Sequence, residues 1–140
     1  MAYPWSRTPW SALADLGLRH VVDLAAQGPV YDPTPLRVAH TVPLEDLYGG
    51  LVPAHPGREE RQIREAAGIV LGLLRQGAGV VVHCIGGTGR TGTVIGCTLR
   101  LLGLPTGEVL AYLNTLHQAR GKPGWPESPW QAAVVGRVCP

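Results

Sequence analysis

The chain has 140 residues, of which 45% are hydrophobic and 16% charged, a balance that fits a single globular domain over 1–140 and excludes disorder. A net charge of +2, with Lys122 the only lysine and the arginines dispersed, does not predict nucleic-acid binding. No apolar run reaches the roughly 20 residues of a membrane span, Met1-Ala-Tyr-Pro-Trp does not read as a signal peptide, and three irregularly spaced cysteines predict a reducing, cytoplasmic setting; a monomer is expected.

In chain order, Thr8-Pro9 predicts a helix start with Thr8 as cap, carrying Ala12, Leu13 and Leu16 on one face and stopping at Gly17. His20 to Leu24 reads as a short buried strand, and Leu36 to Val42 as a second strand of alternating character, after a stiff loop around Asp32-Pro33-Thr34-Pro35. Val42-Pro43-Leu44-Glu45-Asp46 then opens a Gly- and Pro-containing loop with two carboxylates at its start. Arg58 to Gln76 is an amphipathic helix with Ile63, Ala66, Ala67, Val70, Leu73 and Leu74 inward and its charged residues toward water. As a right-handed crossover it makes the strands on either side parallel.

Val80, Val81 and Val82 suit a buried parallel strand. They lead into His83-Cys84-Ile85-Gly86-Gly87-Thr88-Gly89-Arg90-Thr91, and the segment from Thr91 to Leu102 reads as a buried helix. A strand, a glycine-rich loop and a helix N-terminus make an anion site, because free backbone N–H groups and the helix dipole favour negative charge. Ile85, Gly86, Gly87, Thr88 and Gly89 would supply those N–H groups. Arg90 can hold two oxygens of a phosphoryl group as a fork. Cys84, beside both the arginine and the helix N-terminus, is favoured as a thiolate. Thr91 could donate to its sulfur, and His83 could fix the loop from behind. No Asp or Glu occurs between Glu65 and Glu108, so nothing acidic within the loop repels a phosphate dianion. A nucleotide P-loop would require Gly-Lys-Ser/Thr, which is missing. Cys97, about 12 Å along the helix from the loop, is too far to bridge to Cys84 and reads as a core side chain.

Beyond the loop, Val109, Leu110, Leu113 and Leu116 mark a further helix ending near Gly121, and Ser128-Pro129 caps a last helix that contains Gln131.

The nine residues His83 to Thr91 resemble the His-Cys-x-x-Gly-x-x-Arg-Ser/Thr signature of cysteine-dependent protein tyrosine and dual-specificity phosphatases. The resemblance implies an α/β fold: a small, mostly parallel sheet flanked by helices, with the phosphate loop between a central strand and a buried helix. It implies phosphomonoester hydrolysis through a phosphocysteine on Cys84, with Arg90 on the phosphate, and no metal or cofactor. The departing oxygen needs a proton, a service worth roughly 10²–10⁴-fold. The resemblance points to Asp46 as that acid, and as base in the second step, with Glu45 and Asp32 as alternatives. It also implies that Gln131 positions the hydrolytic water, although Arg120-Gly-Lys-Pro-Gly departs from the family's shorter segment there. Expected ligands are phosphorylated proteins or peptides, small phosphomonoesters, and oxyanions such as phosphate, sulfate or vanadate. The uncharged loop fits inositol polyphosphates less well. Two other readings compete: a binding module that docks phosphorylated partners with little turnover, and a sulfurtransferase or arsenate reductase built on a similar loop.

Overall fold

The structure is a computed structural model describing residues 1–139; Pro140, the last residue of the predicted domain, lies outside them. The elements run α1 (Trp10–Asp15), β1 (Leu18–Asp23), β2 (Arg37–Thr41), α2 (Pro56–Arg75), β3 (Gly79–His83), α3 (Gly89–Leu101), α4 (Thr106–Ala119) and α5 (Pro129–Arg137). The three strands form one sheet in the order β2-β1-β3, and both pairings are parallel, as the crossover rule requires. The expected small parallel sheet with flanking helices is therefore present. Its middle strand is β1, however, and β3, which leads into the phosphate loop, lies to one side of it. Beyond β3 the chain's first residues run alongside: the Met1 amine donates to the Val82 carbonyl, and the Tyr3 N–H donates to the Ile85 carbonyl at 2.9 Å.

The main core joins Val22 and Val82 of the sheet to Ile63, Ala66 and Ala67 of α2 and to Val94 and Cys97 of α3, all buried. Leu113, Val134 and Val135 close it from α4 and α5. Gly96 lets these helices approach: a Cβ there would sit 2.9 Å from both Leu113 Cδ1 and Val135 Cγ2. Surrounded by α2, α4 and α5, α3 is buried on nearly every face of its first three turns, which accounts for its continuous apolar and small-residue character. Burial pushes the Cys97 thiol up to about 12, as befits a core side chain.

Several local expectations are corrected. Thr8 does not cap α1; its hydroxyl accepts from the Trp5 N–H at 3.0 Å, and the helix begins at Trp10, its buried residue. Leu16 is 80% exposed, because the short helix ends before that position can turn inward. The second strand lies at the sheet edge and is largely exposed, so its alternation does not mark a buried face. On α2 the inward position past Val70 is Leu71; Leu73 is half-buried and Leu74 exposed. Glu59, expected to face water, is buried and accepts from the Glu45 N–H at 2.9 Å. On α4 the last inward position belongs to His117, while Leu116 is half-buried. Among the described residues no helix is long and apolar enough to cross a membrane.

Candidate active site

The chain leaves β3 at His83, turns through residues 84–88 and enters α3 at Gly89. Gly87 has φ +69°, a left-handed conformation that favours glycine. The turn curls around Cys84: its Sγ, 2% exposed as a residue, accepts hydrogen bonds from the Gly87 N–H and the Thr91 hydroxyl, both at 3.2 Å. Two donors and no acceptor on a sulfur are the surroundings of an anion.

The loop carbonyls are tied away from this centre. Cys84 O accepts from His83 Nδ1 at 3.3 Å, Ile85 O from the Tyr3 N–H, Gly87 O from Arg120 at 3.0 Å, and Gly89 O from Trp125 Nε1 at 3.3 Å and the Thr93 hydroxyl at 2.8 Å. In a planar trans peptide the carbonyl and the following N–H point in opposite directions. Anchoring these carbonyls therefore turns the N–H groups of Ile85, Gly86, Thr88 and Arg90 away from the anchors.

His83 is wholly buried and sits behind the loop. A carbonyl can only accept, so Nδ1 carries the proton toward Cys84 O, and Nε2 accepts from the Tyr31 hydroxyl at 2.7 Å. Burial pushes the His83 pKa down, and burial of the half-buried Tyr31 pushes its phenol up, so both stay neutral and this pattern holds near pH 7. His117 is likewise buried and lowered by burial; its Nδ1 accepts from Arg120 at 3.2 Å, steadying the arginine that holds Gly87.

Arg90 projects from the first turn of α3 with its side chain only 10% exposed, donating to Leu44 O and to Asp46 Oδ2, each at 3.3 Å. Asp46, 60% exposed, accepts from the Tyr48 N–H through Oδ1 at 3.2 Å. The other two candidate acids are used elsewhere. Glu45 accepts from the Ala54 N–H at 2.9 Å, and Asp32 closes its own turn on Thr34 at 2.9 and 2.6 Å. Gln131 is buried beside the loop, but its Oε1 accepts from both the Glu127 and Ser128 N–H groups, at 2.9 and 3.2 Å, in the capping box of α5. Its Nε2 faces Gly89, 2.8 Å from where a Cβ would be.

Cys84, Arg90 and Asp46 border a cavity of about 710 Å³ that is open to solvent and is also lined by Lys122 and by the exposed Tyr48. Trp125 lines the inner wall but is itself buried. Packing there is tight: a Cβ on Gly92 would lie 2.5 Å from Trp125 Nε1. Gly92→Ala is expected to cost about 1–3 kcal/mol of stability, as overpacking does, and to displace the indole from Gly89 O. Thermal unfolding together with turnover would show both effects; an unchanged melting temperature would refute the contact.

The family model described as "Tc-R-P: Polymorphic toxin system, DSP-PTPase phosphatase" matches residues 1–103. The chain belongs to this family. It is a cysteine-dependent phosphatase of the protein tyrosine and dual-specificity type. The crystal structure of Tk-PTP in its active form is 26% identical, with a TM-score of 0.69 over 98% of this chain and 87% of that one. The core catalytic domain of the PP-IP phosphatase SIW14 from S. cerevisiae, in complex with citrate, shares the fold at 19% identity, with a TM-score of 0.66 over 98% and 77% of the two chains. DUSP15 does so at 16%, with a TM-score of 0.61 over 92% and 74%.

The phosphatase loop is braced by residues that its motif does not contain. Tyr3, Tyr31, Arg120 and Trp125 each reach it from a distant stretch, and no local pattern marks them. Glu127 was equally unmarked. A Cβ on Gly89 would run into its carboxylate, whose carboxyl carbon is 2.9 Å from that point. Burial, then the nearby Asp46 charge, raise the Glu127 pKa, against the pull of Arg90, the Gly89 N–H and Lys122.

Proposed function

We propose that this chain, acting as one catalytic domain over 1–140, hydrolyses phosphomonoesters through a phosphocysteine on Cys84. The observation that carries the reading is the meeting, in one cavity, of a doubly hydrogen-bonded Cys84 sulfur with an Arg90 that also reaches Asp46. A phosphoryl group above Cys84 takes the N–H groups of Ile85, Gly86, Thr88 and Arg90 and the Arg90 fork. The thiolate attacks phosphorus in line, the ester P–O bond breaks, and Asp46 gives its proton to the departing oxygen. In the return step water attacks phosphorus and the S–P bond breaks, with the Thr91 hydroxyl stabilising the released thiolate. Gln131 contributes through its Nε2, which faces the loop. Arg90, the backbone and the helix dipole supply charge stabilisation without a metal.

Phosphotyrosine peptides and small aryl phosphates are the proposed substrates, with Tyr48 against the leaving group. Oxyanions are proposed to occupy the same loop; the citrate held by the SIW14 domain is in keeping with such a site. The three free cysteines accord with a reducing, cytoplasmic setting. Arsenate reduction by a second thiol is disfavoured, since Cys97 is buried with its pKa pushed up.

The role of Asp46 is tested with Asp46→Asn on aryl phosphates of graded leaving-group basicity. A general acid must carry its proton, so wild-type kcat/KM falls on the alkaline side as Asp46 loses it. The variant is expected to lose that alkaline limb, and about 10²-fold or more in rate on poor leaving groups, with much less on the best one. An equal loss on every substrate with the limb intact would remove Asp46 from the role.

A further inference from the structure

We propose that Glu127 is the base of the second half-reaction, receiving the proton of the water that hydrolyses phosphocysteine, so that the two carboxylates divide the two steps. The proposal rests on the phosphocysteine reading above and concerns a residue outside the loop motif.

A hydrolytic water must give up a proton, so an acceptor has to face phosphorus from the open side of the loop. Side chains beside the loop that carry acceptor oxygens include Gln131, Asp46 and Glu127, the last two being the carboxylates that line the cavity. An amide oxygen has two lone pairs, and those of Gln131 Oε1 are both taken by the Glu127 and Ser128 N–H groups. Only the Nε2 donor of Gln131 is left toward the loop, and a donor cannot take a proton from water. Asp46 is a carboxylate after the first step, but it is held at the outer side by Arg90 and by the Tyr48 N–H. Glu127 is the third. Its carboxylate lies over Gly89 at the start of α3, on the wall of the cavity that contains Cys84 and Arg90.

The same position explains how the carboxylate is held. The Glu127 backbone N–H is fixed by Gln131, and the residue lies between the buried Trp125 and the α5 cap Ser128. Gln131 thus acts as a positioning residue for the base. Ion pairing does not claim Glu127, because Arg90 is engaged with Asp46. Partial burial and the Asp46 charge make its carboxylate more basic than a free glutamate, the direction a general base requires. Arg90, Lys122 and the Gly89 N–H balance its negative charge beside the bound phosphate.

The step balances. The water oxygen bonds to phosphorus, the S–P bond breaks and its electron pair returns to Cys84 Sγ, and the water proton passes to a Glu127 oxygen. Inorganic phosphate leaves and Glu127 releases the proton to solvent.

The test is rapid-mixing kinetics with an aryl phosphate whose phenol leaves without help, combined with acid-quench trapping of phosphoenzyme. Glu127→Gln keeps the shape and removes the basicity; Glu127→Ala removes both. Each variant is expected to release about one equivalent of phenol per enzyme at the wild-type rate. Turnover should then slow by about 10²-fold or more, with phosphoenzyme accumulating. Glu127→Asp should restore part of the rate. Wild-type turnover without trapped phosphoenzyme would overturn the assignment, and so would loss of the first phenol equivalent, which marks a merely structural role. Wild-type turnover that never passes through a trappable phosphocysteine would instead overturn the phosphocysteine reading, and this proposal with it.

Discussion

Cys84→Ser is expected to lower hydrolysis of an aryl phosphate by about 10⁴-fold or more while inorganic phosphate still binds. The reason lies in what surrounds the sulfur. Its contacts, the Gly87 N–H and the Thr91 hydroxyl, both donate. They stabilise a thiolate once formed, but neither can take the proton of a serine hydroxyl, which stays protonated at neutral pH and is a poor nucleophile. The chain's other thiols do not line the cavity, with Cys97 buried in the core and Cys139 exposed two residues beyond α5. The loop N–H groups and Arg90 survive the substitution, so phosphate affinity measured by calorimetry should change little. Retained turnover would remove Cys84 as nucleophile, whereas loss of phosphate binding along with turnover would point to a collapsed loop.

Arg90→Lys should cost on the order of 10²–10³-fold in kcat/KM, with weaker inhibition by inorganic phosphate. Arg90 reaches Leu44 O and Asp46 Oδ2 with different nitrogens, both at 3.3 Å, and lines the cavity that contains Cys84. A lysine brings one compact ammonium and cannot hold both the acid loop and two phosphate oxygens. The substitution therefore weakens transition-state binding and frees Asp46 together. Because the two residues share a contact, the loss in the Arg90→Lys/Asp46→Asn double variant should fall short of the product of the single losses. Full multiplicativity, or an unchanged phosphate inhibition constant, would contradict the coupling.

The sequence was most informative where chemistry is local. The run from Val80 to Gly92 contains its strand, its turn and the start of its helix within a few residues, and the structure places Cys84, Arg90, Thr91 and His83 around one turn. The cap at Ser128 was legible too, because a capping box spans only four residues. What the sequence does not show is that this box engages the Gln131 oxygen and leaves its Nε2 toward Gly89. At Thr8 the local pattern misled, since a nearer N–H in the preceding turn took the hydroxyl.

The contacts of Asp46, the acid the resemblance points to, and of its alternatives Glu45 and Asp32 lay beyond the primary sequence. All three are carboxylates in loops, and they separate only when Arg90 reaches across 44 positions to Asp46 while Glu45 and Asp32 close backbone turns. The braces on the loop are more remote still, with Arg120, Trp125 and Tyr31 at separations of 33, 36 and 52 residues from their partners. Glu127 meets Gly89 in the same way, from a segment with no motif of its own.

Residue order alone sufficed for the phosphate loop and the helices and strands beside it, because φ/ψ preferences, caps and apolar periodicity act over one or two turns of chain. Which carboxylates, arginine and aromatic rings face that loop was settled by the packing around it of the chain's first residues, the loops after β1 and β2, and α4, α5 and the loop between them. That packing follows from burial of apolar surface, which carries no record in any short stretch of which polar side chains it will bring together.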